Sequence, residues 1–452
     1  MKITADENMP ALALFAPLGE VTLCAGRGLT QADLSETEVL LVRSVTRVDA
    51  ALLAGTPVRF VGSATIGTDH VDTAWLAQAG IGFAHAPGCN AMAVAEYVLQ
   101  AVLDWACEQG RALEELSVGV VGVGNAGGRV ARLLAAAGCR VLGCDPPRAA
   151  AGERMDGDLA LDQSLDEPLD KLLGCDVVTL HVPLTAEGPY ATHHLLDAAA
   201  LARLGPAQLL VNSSRGPVID NAALLHRLAS GSGPSVVLDV WEAEPQVPPE
   251  LFARVRWGSP HIAGYSVEGR TRGSLMVLQS LCTYLGESSP HSAEVVPVGL
   301  CWRGDIARPE DVLALLRARW DLRETHAALA AVLKDEDAGR RAAGFDHLRK
   351  TFPARHELAG VVVQGRVARR WQPLLVAVLL GSIGGWIASQ FRIPLAWMIG
   401  SVITTTIAAL SGVRIGVPRD LRMGMSVILG ILLGSTFHPE IFEGVARWLA
   451  SL

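Results

Sequence analysis

The stretch "VGVVGVGNAGGRVARLLAAAGCRVLGCDPP", residues 118–147, decides the fold. It opens on a short apolar run, turns on glycines, continues as an Ala/Leu-rich helix and closes on a second apolar run ending in an acid. Gly122, Gly124 and Gly127 stand in G-x-G-x-x-G spacing, with Asn125 and Ala126 inside the same turn. Glycines there permit a tight turn and let the backbone approach a pyrophosphate, which the positive end of the following helix stabilises. Asp145 ends the next strand about 20 positions on, where a carboxylate accepts hydrogen bonds from a ribose diol and repels a 2′-phosphate. The spacing predicts a dinucleotide site for NAD in preference to NADP. Arg148 is the one residue that points the other way.

The same alternation extends outward. "EVLLVRS" (38–44) and "VRFVGSAT" (58–65) precede it, and "DVVTLHVP" (176–183), "QLLVNSSR" (208–215) and "SVVLDVWE" (235–242) follow it. Each is an apolar run ending in polar, Gly or Pro residues, and helical stretches lie between. That pattern predicts α/β architecture with parallel sheets and helices on both faces. In such sheets ligands bind beyond the carboxyl ends of the strands.

Composition narrows the function. A chain of 452 residues exceeds one core, so several domains are expected. A net charge of −8 without a basic stripe argues against nucleic acid as a partner. The eight cysteines are scattered with no Cys-x-x-Cys pair, and read as reduced thiols, neither a disulfide frame nor a metal site. The N-terminal "MKITADENMP" carries no apolar run, so no signal peptide is expected.

"NSSRGPVID" (212–220) places Arg215 at the tip of a buried strand. "LDVWEAEP" (238–245) carries Glu244, and "SPHIAGYS" (259–266) carries His261. An arginine fork holds a carboxylate, a histidine exchanges a proton with a hydroxyl near neutral pH, and a carboxylate beside it favours the imidazolium. Each residue alone has a bland reading as a cap, a turn acid or a core histidine. Together they suit oxidation at the α-carbon of a 2-hydroxy acid.

The ordered set G-x-G-x-x-G, "NSSRG", "LDVWEAEP" and "HIAGYS" resembles the D-isomer-specific 2-hydroxy acid dehydrogenases. "ADENMP", "VRSVTRVD", "GSATIGTDHVD", "APGCNAMAVAEYV" and "GFDHLRKTFP" extend the resemblance over roughly residues 1–366. It implies that Arg215 binds the substrate carboxylate, Glu244 partners the histidine and His261 donates or accepts the proton. It places Asp145, Asp239 and Gly264 at NAD, and Ser44, Thr65 and Tyr265 at the substrate. Val182 stands where the family often has a hydroxyl residue, which leaves only a backbone contact to NAD. The implied substrate is a phosphorylated 2-hydroxy acid. Arg43, Arg349 and Lys350 are candidates for its phosphate, the last two within the same chain or from a second subunit. The alternatives are another 2-hydroxy acid, or a nucleotide-sensing regulator of a membrane transporter that has lost catalysis. Intact Arg215, Glu244 and His261 argue against that loss.

The expected layout has two Rossmann-like doubly wound parallel-sheet domains. The substrate domain spans 1–92 with a return over 258–283, and the NAD-binding domain spans 93–257. A small α/β dimerisation domain over 284–366 implies a homodimer. From 367 the chain turns apolar, and "GSIGGWIASQFRIPLAWMIGSVI" and "LGILLGSTFHPEIFEGV" resemble part of the AbrB-type bacterial membrane family. Residues 367–452 are therefore expected as transmembrane helices in a lipid bilayer, the inner membrane, with the enzyme part cytoplasmic. Arg366, Arg369, Arg370, Arg414, Arg419 and Arg422 would lie on the cytoplasmic side and Arg392 opposite.

Overall fold

The computed structural model describes residues 1–153, 168–289, 309–358, 372–391 and 396–411, and the chain divides into two units, Met1–Gln364 and Gly365–Leu452. The apolar runs named above between residues 38 and 242 all form strands, because aliphatic and β-branched residues buried on both faces suit a parallel sheet. The first sheet contains β1 (Lys2–Asp6), β2 (Glu20–Cys24), β3 (Val39–Val42), β4 (Phe60–Ser63) and β5 (Gly82–Ala84). Its order is β2-β1-β3-β4-β5, with every pair parallel. The second contains β6 (Ser117–Val121), β7 (Arg140–Cys144), β8 (Val177–Leu180), β9 (Leu209–Asn212), β10 (Ser235–Leu238) and β11 (Trp257–Gly258). Its order is β11-β10-β9-β8-β6-β7, again all parallel. All carboxyl ends of one sheet therefore lie along one edge, where loops can share a ligand.

Two long helices pass between the sheets, and a third opens on the glycine turn. Helix α1 (Ala91–Glu108) follows the first sheet and packs its apolar side chains with Val118, Val120 and Val211 of the second. Helix α2 (Asn125–Ala136) starts on the glycine turn. Helix α3 (Val267–Leu285) returns, and Val277, Leu278 and Leu281 join Ile3, Ala5, Leu41 and Phe60 in the first sheet's core.

Helix α1 also buries a polar ladder. Glu96, Gln100 and Asp104 recur at i, i+4 and i+8, so they share one helix face, and all three are buried. Each is satisfied by the C-terminal segment or by β11. Glu96 accepts from Arg355 Nη2 at 3.1 Å and from the Leu358 backbone at 2.7 Å. Gln100 donates to Trp320 O and accepts from Leu322 N, both at 2.7 Å. Asp104 accepts from Arg256 and from the Trp257 indole, each at 2.8 Å, and pairs with Arg317.

The segment answering this ladder comprises α4 (Pro309–Arg319), α5 (Leu322–Leu333) and α6 (Ala338–Lys350). The expected α/β domain over 284–366 is thus helical among its described residues. Leu313, Leu316 and Leu322 join the core of α1, while Leu329, Leu333 and Phe345 join that of Trp241 and Phe252.

In the second unit, α7 (Gln372–Gln390) packs on α8 (Ala396–Leu410). They meet at Gly384 and Gly400, where a Cβ on either would come within 2.2 Å of the other's carbonyl oxygen. The expectation of spanning helices is not met: among the described residues no helix is long and apolar enough to cross a membrane. The 15 residues of α8 rise only about 22 Å against a hydrocarbon core of about 30 Å. Polar glutamines begin and end α7. The third apolar segment and the boundary arginines lie outside the described residues.

Arg355 and Glu96 are both 3% exposed. Removing one member of a buried pair leaves an unpaired charge, so Arg355→Met should destabilise the protein by about 3–5 kcal/mol. Urea unfolding of the variant against the native protein measures this.

Candidate active site

The two sheets face each other through their carboxyl-end loops. Arg215, just past β9, donates from Nε and Nη2 to Asp69 Oδ2 at 2.9 and 2.8 Å, and Asp69 lies in the loop after β4. A third nitrogen, Nη1, donates to Ser214 O at 2.8 Å and fixes the guanidinium plane. Gly67 makes room, since a Cβ there would stand 2.0 Å from Arg215 Nη2.

Glu244, in the loop after β10, and His261, in the loop after β11, are brought together. Glu244 Oε2 lies 2.8 Å from His261 Nδ1, and its Oε1 accepts from Trp241 N at 2.8 Å. With the Nδ1 proton directed at the carboxylate, Nε2 carries the lone pair available to a substrate. Burial pushes the Glu244 carboxyl upward, but His261, these hydrogen bonds and the nearby Arg349 outweigh it and hold its pKa below 4.5. His261 itself has a left-handed backbone with φ 57°. Its N–H donates to Asp239 O at 2.8 Å, while the Asp239 carboxylate accepts from Ile262 N, Ala263 N and Ser259 Oγ at 2.7, 2.9 and 2.7 Å. Asp239, expected at the cofactor, is thus a buried anchor for the His261 turn, and burial raises its pKa.

Two other histidines on these loops stay neutral. Burial lowers His70 to about 4 and His181 to about 3. His70 Nε2 meets Ser63 Oγ at 3.0 Å, and Ser63 in turn meets Thr65 Oγ1 at 2.8 Å. Among these three, only His261 has a carboxylate within hydrogen-bond distance. The remaining expected substrate residues line the same edge. Ser44 follows β3 and is exposed, and Tyr265 lies under Arg43, whose Cζ is 5.9 Å from the ring centroid. From α6, Lys350 pairs with Glu7 at 3.8 Å and Asp346 with Arg27 at 2.9 Å, so this helix bridges to the first sheet within one chain.

The glycine turn fits a dinucleotide. Gly122 has φ +81°, and a Cβ there would meet His181 O at 2.7 Å and Val182 Cγ1 at 2.8 Å. A Cβ on Gly127 would lie 1.9 Å from Gly122 O, whereas Gly124 faces open space. The first and third glycines therefore close the turn, and the second leaves backbone clear for a phosphate. Asn125 and Ala126 begin α2 directly behind it. Asp145 accepts from Val123 N at 2.8 Å, which leaves further lone pairs for a ribose diol. Arg148 is no counterweight: its Nε pairs with Glu153 at 2.7 Å and its Nη1 binds Val123 O. Gly264 admits the Asn90 side chain, since a Cβ there would lie 2.1 Å from Asn90 Nδ2. Sequence reasoning gave no role to Asp69 or Asn90; their long-range partners are visible only in the fold.

One trio among the described residues, His193, His194 and Glu242, has metal-ligand chemistry. His194 Nε2 already bonds Glu242 Oε1 at 2.7 Å, and the two imidazole rings stack with their centroids 4.1 Å apart.

Comparison with known proteins agrees with this geometry. The family model for the D-isomer specific 2-hydroxyacid dehydrogenase NAD binding domain matches residues 93–263, and that for the transition state regulatory protein AbrB matches 347–452. The erythronate-4-phosphate dehydrogenase of Marinobacter nauticus is 46% identical over 371 residues, covering 80% of this chain and 94% of the relative. That of Edwardsiella ictaluri is 47% identical over 373 residues, with the same coverage. Among solved structures, the TT0316 protein of Thermus thermophilus matches with TM-score 0.53 and 26% identity, over 64% of this chain and 99% of that one. The NAD-dependent formate dehydrogenase of Staphylococcus aureus shares the fold with TM-score 0.52 and 24% identity, over 65% and 97%.

Because the Glu244 carboxyl is held below 4.5 in the fold, its ionisation adds stability that is full well above 4.5 and is lost as pH falls through the lowered value. Glu244→Gln should remove that contribution. The difference in thermal midpoint between the native protein and the variant should shrink as pH falls below about 4.5. A pH-independent difference would show that the ion pair does not account for the shift.

Proposed function

Since the chain belongs to the erythronate-4-phosphate dehydrogenases within the D-isomer-specific 2-hydroxyacid dehydrogenases, we propose that it oxidises 4-phospho-D-erythronate to (R)-3-hydroxy-2-oxo-4-phosphooxybutanoate, a step of pyridoxal 5′-phosphate biosynthesis. The observation that carries the reading is the Glu244–His261 pair at 2.8 Å, supported by the Arg215 fork and by the glycine turn.

NAD bound on Gly122–Gly127 and Asp145 supplies the hydride acceptor. His261 Nε2 takes the proton of the 2-hydroxyl, and Glu244 stabilises the imidazolium that forms. Arg215 receives the substrate carboxylate in place of Asp69. Both nitrogens that serve Asp69 point at a single oxygen, so the fork is already oriented for a carboxylate. Ser44, Thr65 and Tyr265 contact the rest of the substrate. Gly264 and the backbone at Val182 complete the nucleotide side, and Asp239 supports the site from beneath the His261 turn.

Residues 1–92 and 258–283 form the substrate domain in this reading, 93–257 the NAD domain, and 284–366 the segment through which a homodimer assembles. The finer reading of 367–452 as a tail seated in a bilayer rests on the exposed apolar side chains of α7 and α8, among them Leu379, Trp386 and Trp397. Release of the full chain by a carbonate wash would end it.

The test is NADH formation over a panel of 2-hydroxy acids. His261→Ala should lower turnover about 10²- to 10⁴-fold, the usual contribution of general acid–base catalysis, with NAD affinity little changed. Near-normal turnover of the variant at every pH would assign the base elsewhere. Arg215→Lys should also be damaging, because an ammonium cannot reproduce the bidentate fork.

A further inference from the structure

Two arginines at the carboxyl edge of the first sheet are not accounted for by the oxidation step. Arg43 follows β3 immediately before Ser44, and its guanidinium lies 5.9 Å from the centre of the Tyr265 ring. Arg270 stands in the first turn of α3 and reaches across to Asn8, in the loop after β1, donating from Nη2 to the Asn8 carbonyl at 2.7 Å. Both therefore border the part of the cleft that holds Ser44 and Tyr265. The cations around them have acids: Arg215 has Asp69, Arg27 has Asp346 and Lys350 has Glu7. Neither Arg43 nor Arg270 forms an ion pair among the described residues.

Partial burial and the charge of Arg43 both press the Arg270 pKa below that of a free guanidinium, with Tyr265 and the Asp6 carboxylate acting weakly the other way. Two guanidiniums at one sheet edge, neither paired with an acid among the described residues, suit an anion of more than one charge. A phosphate presents that charge and several acceptor oxygens, and the planar forks match it bidentately.

We propose that Arg43 and Arg270 form the seat of the substrate's phosphate, and that this pair selects a phosphorylated 2-hydroxy acid over its plain counterpart. The assignment rests on the reaction proposed above and supplies the charge that Arg215, engaged with the carboxylate, cannot. The other two candidate cations are committed elsewhere. Lys350 already meets Glu7, and Arg349 lies beside Glu244 at the proton-transfer end. Tyr265 works with the pair by holding the Arg43 plane over its ring.

The test compares kcat/KM for 4-phospho-D-erythronate with that for D-erythronate in the native enzyme, Arg270→Gln, Arg43→Gln and Arg270→Lys. Each glutamine variant should lower the ratio of the two values about 10- to 100-fold, the effect of losing hydrogen bonds between charged partners. Arg270→Lys should restore part of it. Inorganic phosphate, tested as a competitive inhibitor, should bind correspondingly more weakly to both glutamine variants. Equal losses on both substrates, or an unchanged phosphate inhibition constant, would overturn the pair. A native enzyme that does not prefer the phosphorylated acid would instead overturn the proposed reaction. Phosphate inhibition of whichever hydroxy acid is oxidised would still decide whether Arg43 and Arg270 bind the anion.

Discussion

The Asp239 carboxylate sets the geometry on which the site depends. His261 sits at φ 57°, a conformation that costs a non-glycine residue about 1–3 kcal/mol unless its surroundings enforce it. Enforcement comes from four hydrogen bonds to one residue: His261 N to the Asp239 carbonyl, and Ile262 N, Ala263 N and Ser259 Oγ to the carboxylate. Burial raises the carboxyl's pKa, and these donors oppose that rise. Two residues farther along, Trp241 N orients Glu244. One strand end therefore fixes both members of the His–Glu pair, and the pair needs no rearrangement to meet.

That strand end is held in turn by the core beneath it. Tyr97 of α1 bonds Ser259 Oγ at 2.8 Å, the same hydroxyl that serves Asp239. Glu96, next to Tyr97, is pinned by Arg355, whose Nη1 also reaches Ala263 O at 3.4 Å. The C-terminal segment thus acts on the site through α1 and through the His261 turn itself. Its place in the chain, far from the glycine turn, gives no hint of that proximity.

Legibility in the sequence follows the range of the interaction. The central strands and the glycine turn are local patterns, and local patterns of apolar runs and glycines translate directly into backbone. The roles of Arg215, Glu244 and His261 were legible because each stands at a strand end, where parallel sheets place ligands. Asp239 was legible as a site residue but not as an anchor, because its donors lie about twenty residues away along the chain. Asp69 and Arg270 escaped notice for the same reason: their partners Arg215 and Asn8 are distant in sequence. The ladder of Glu96, Gln100 and Asp104 has the spacing of a solvated helix face, and only the packing of 309–358 explains why it is buried. The α/β expectation for 284–366 and the spanning helices expected for 367–452 came from composition and resemblance. Composition counts apolar residues without saying which core they enter or how long each helix runs.

Charge shows how local structure overrides the whole. The chain carries −8 overall, yet the substrate proposed for it combines a carboxylate with a phosphate of about two charges at neutral pH. Net charge acts over distances that salt screens within about 8 Å, whereas Arg43, Arg215 and Arg270 stand at the cleft itself. The acid that meets Arg215 is Asp69, whose side chain is 51% exposed. Exposed pairs are worth about 0–1 kcal/mol, so exchanging Asp69 for a substrate carboxylate demands little, and the fork is held in a useful plane until it happens. Asp239 shows the contrary case: buried and fully bonded, it is too costly to move and so serves as a fixed support. The fold places its exchangeable carboxylate at the substrate and its immovable one beneath the histidine, a division that burial alone enforces.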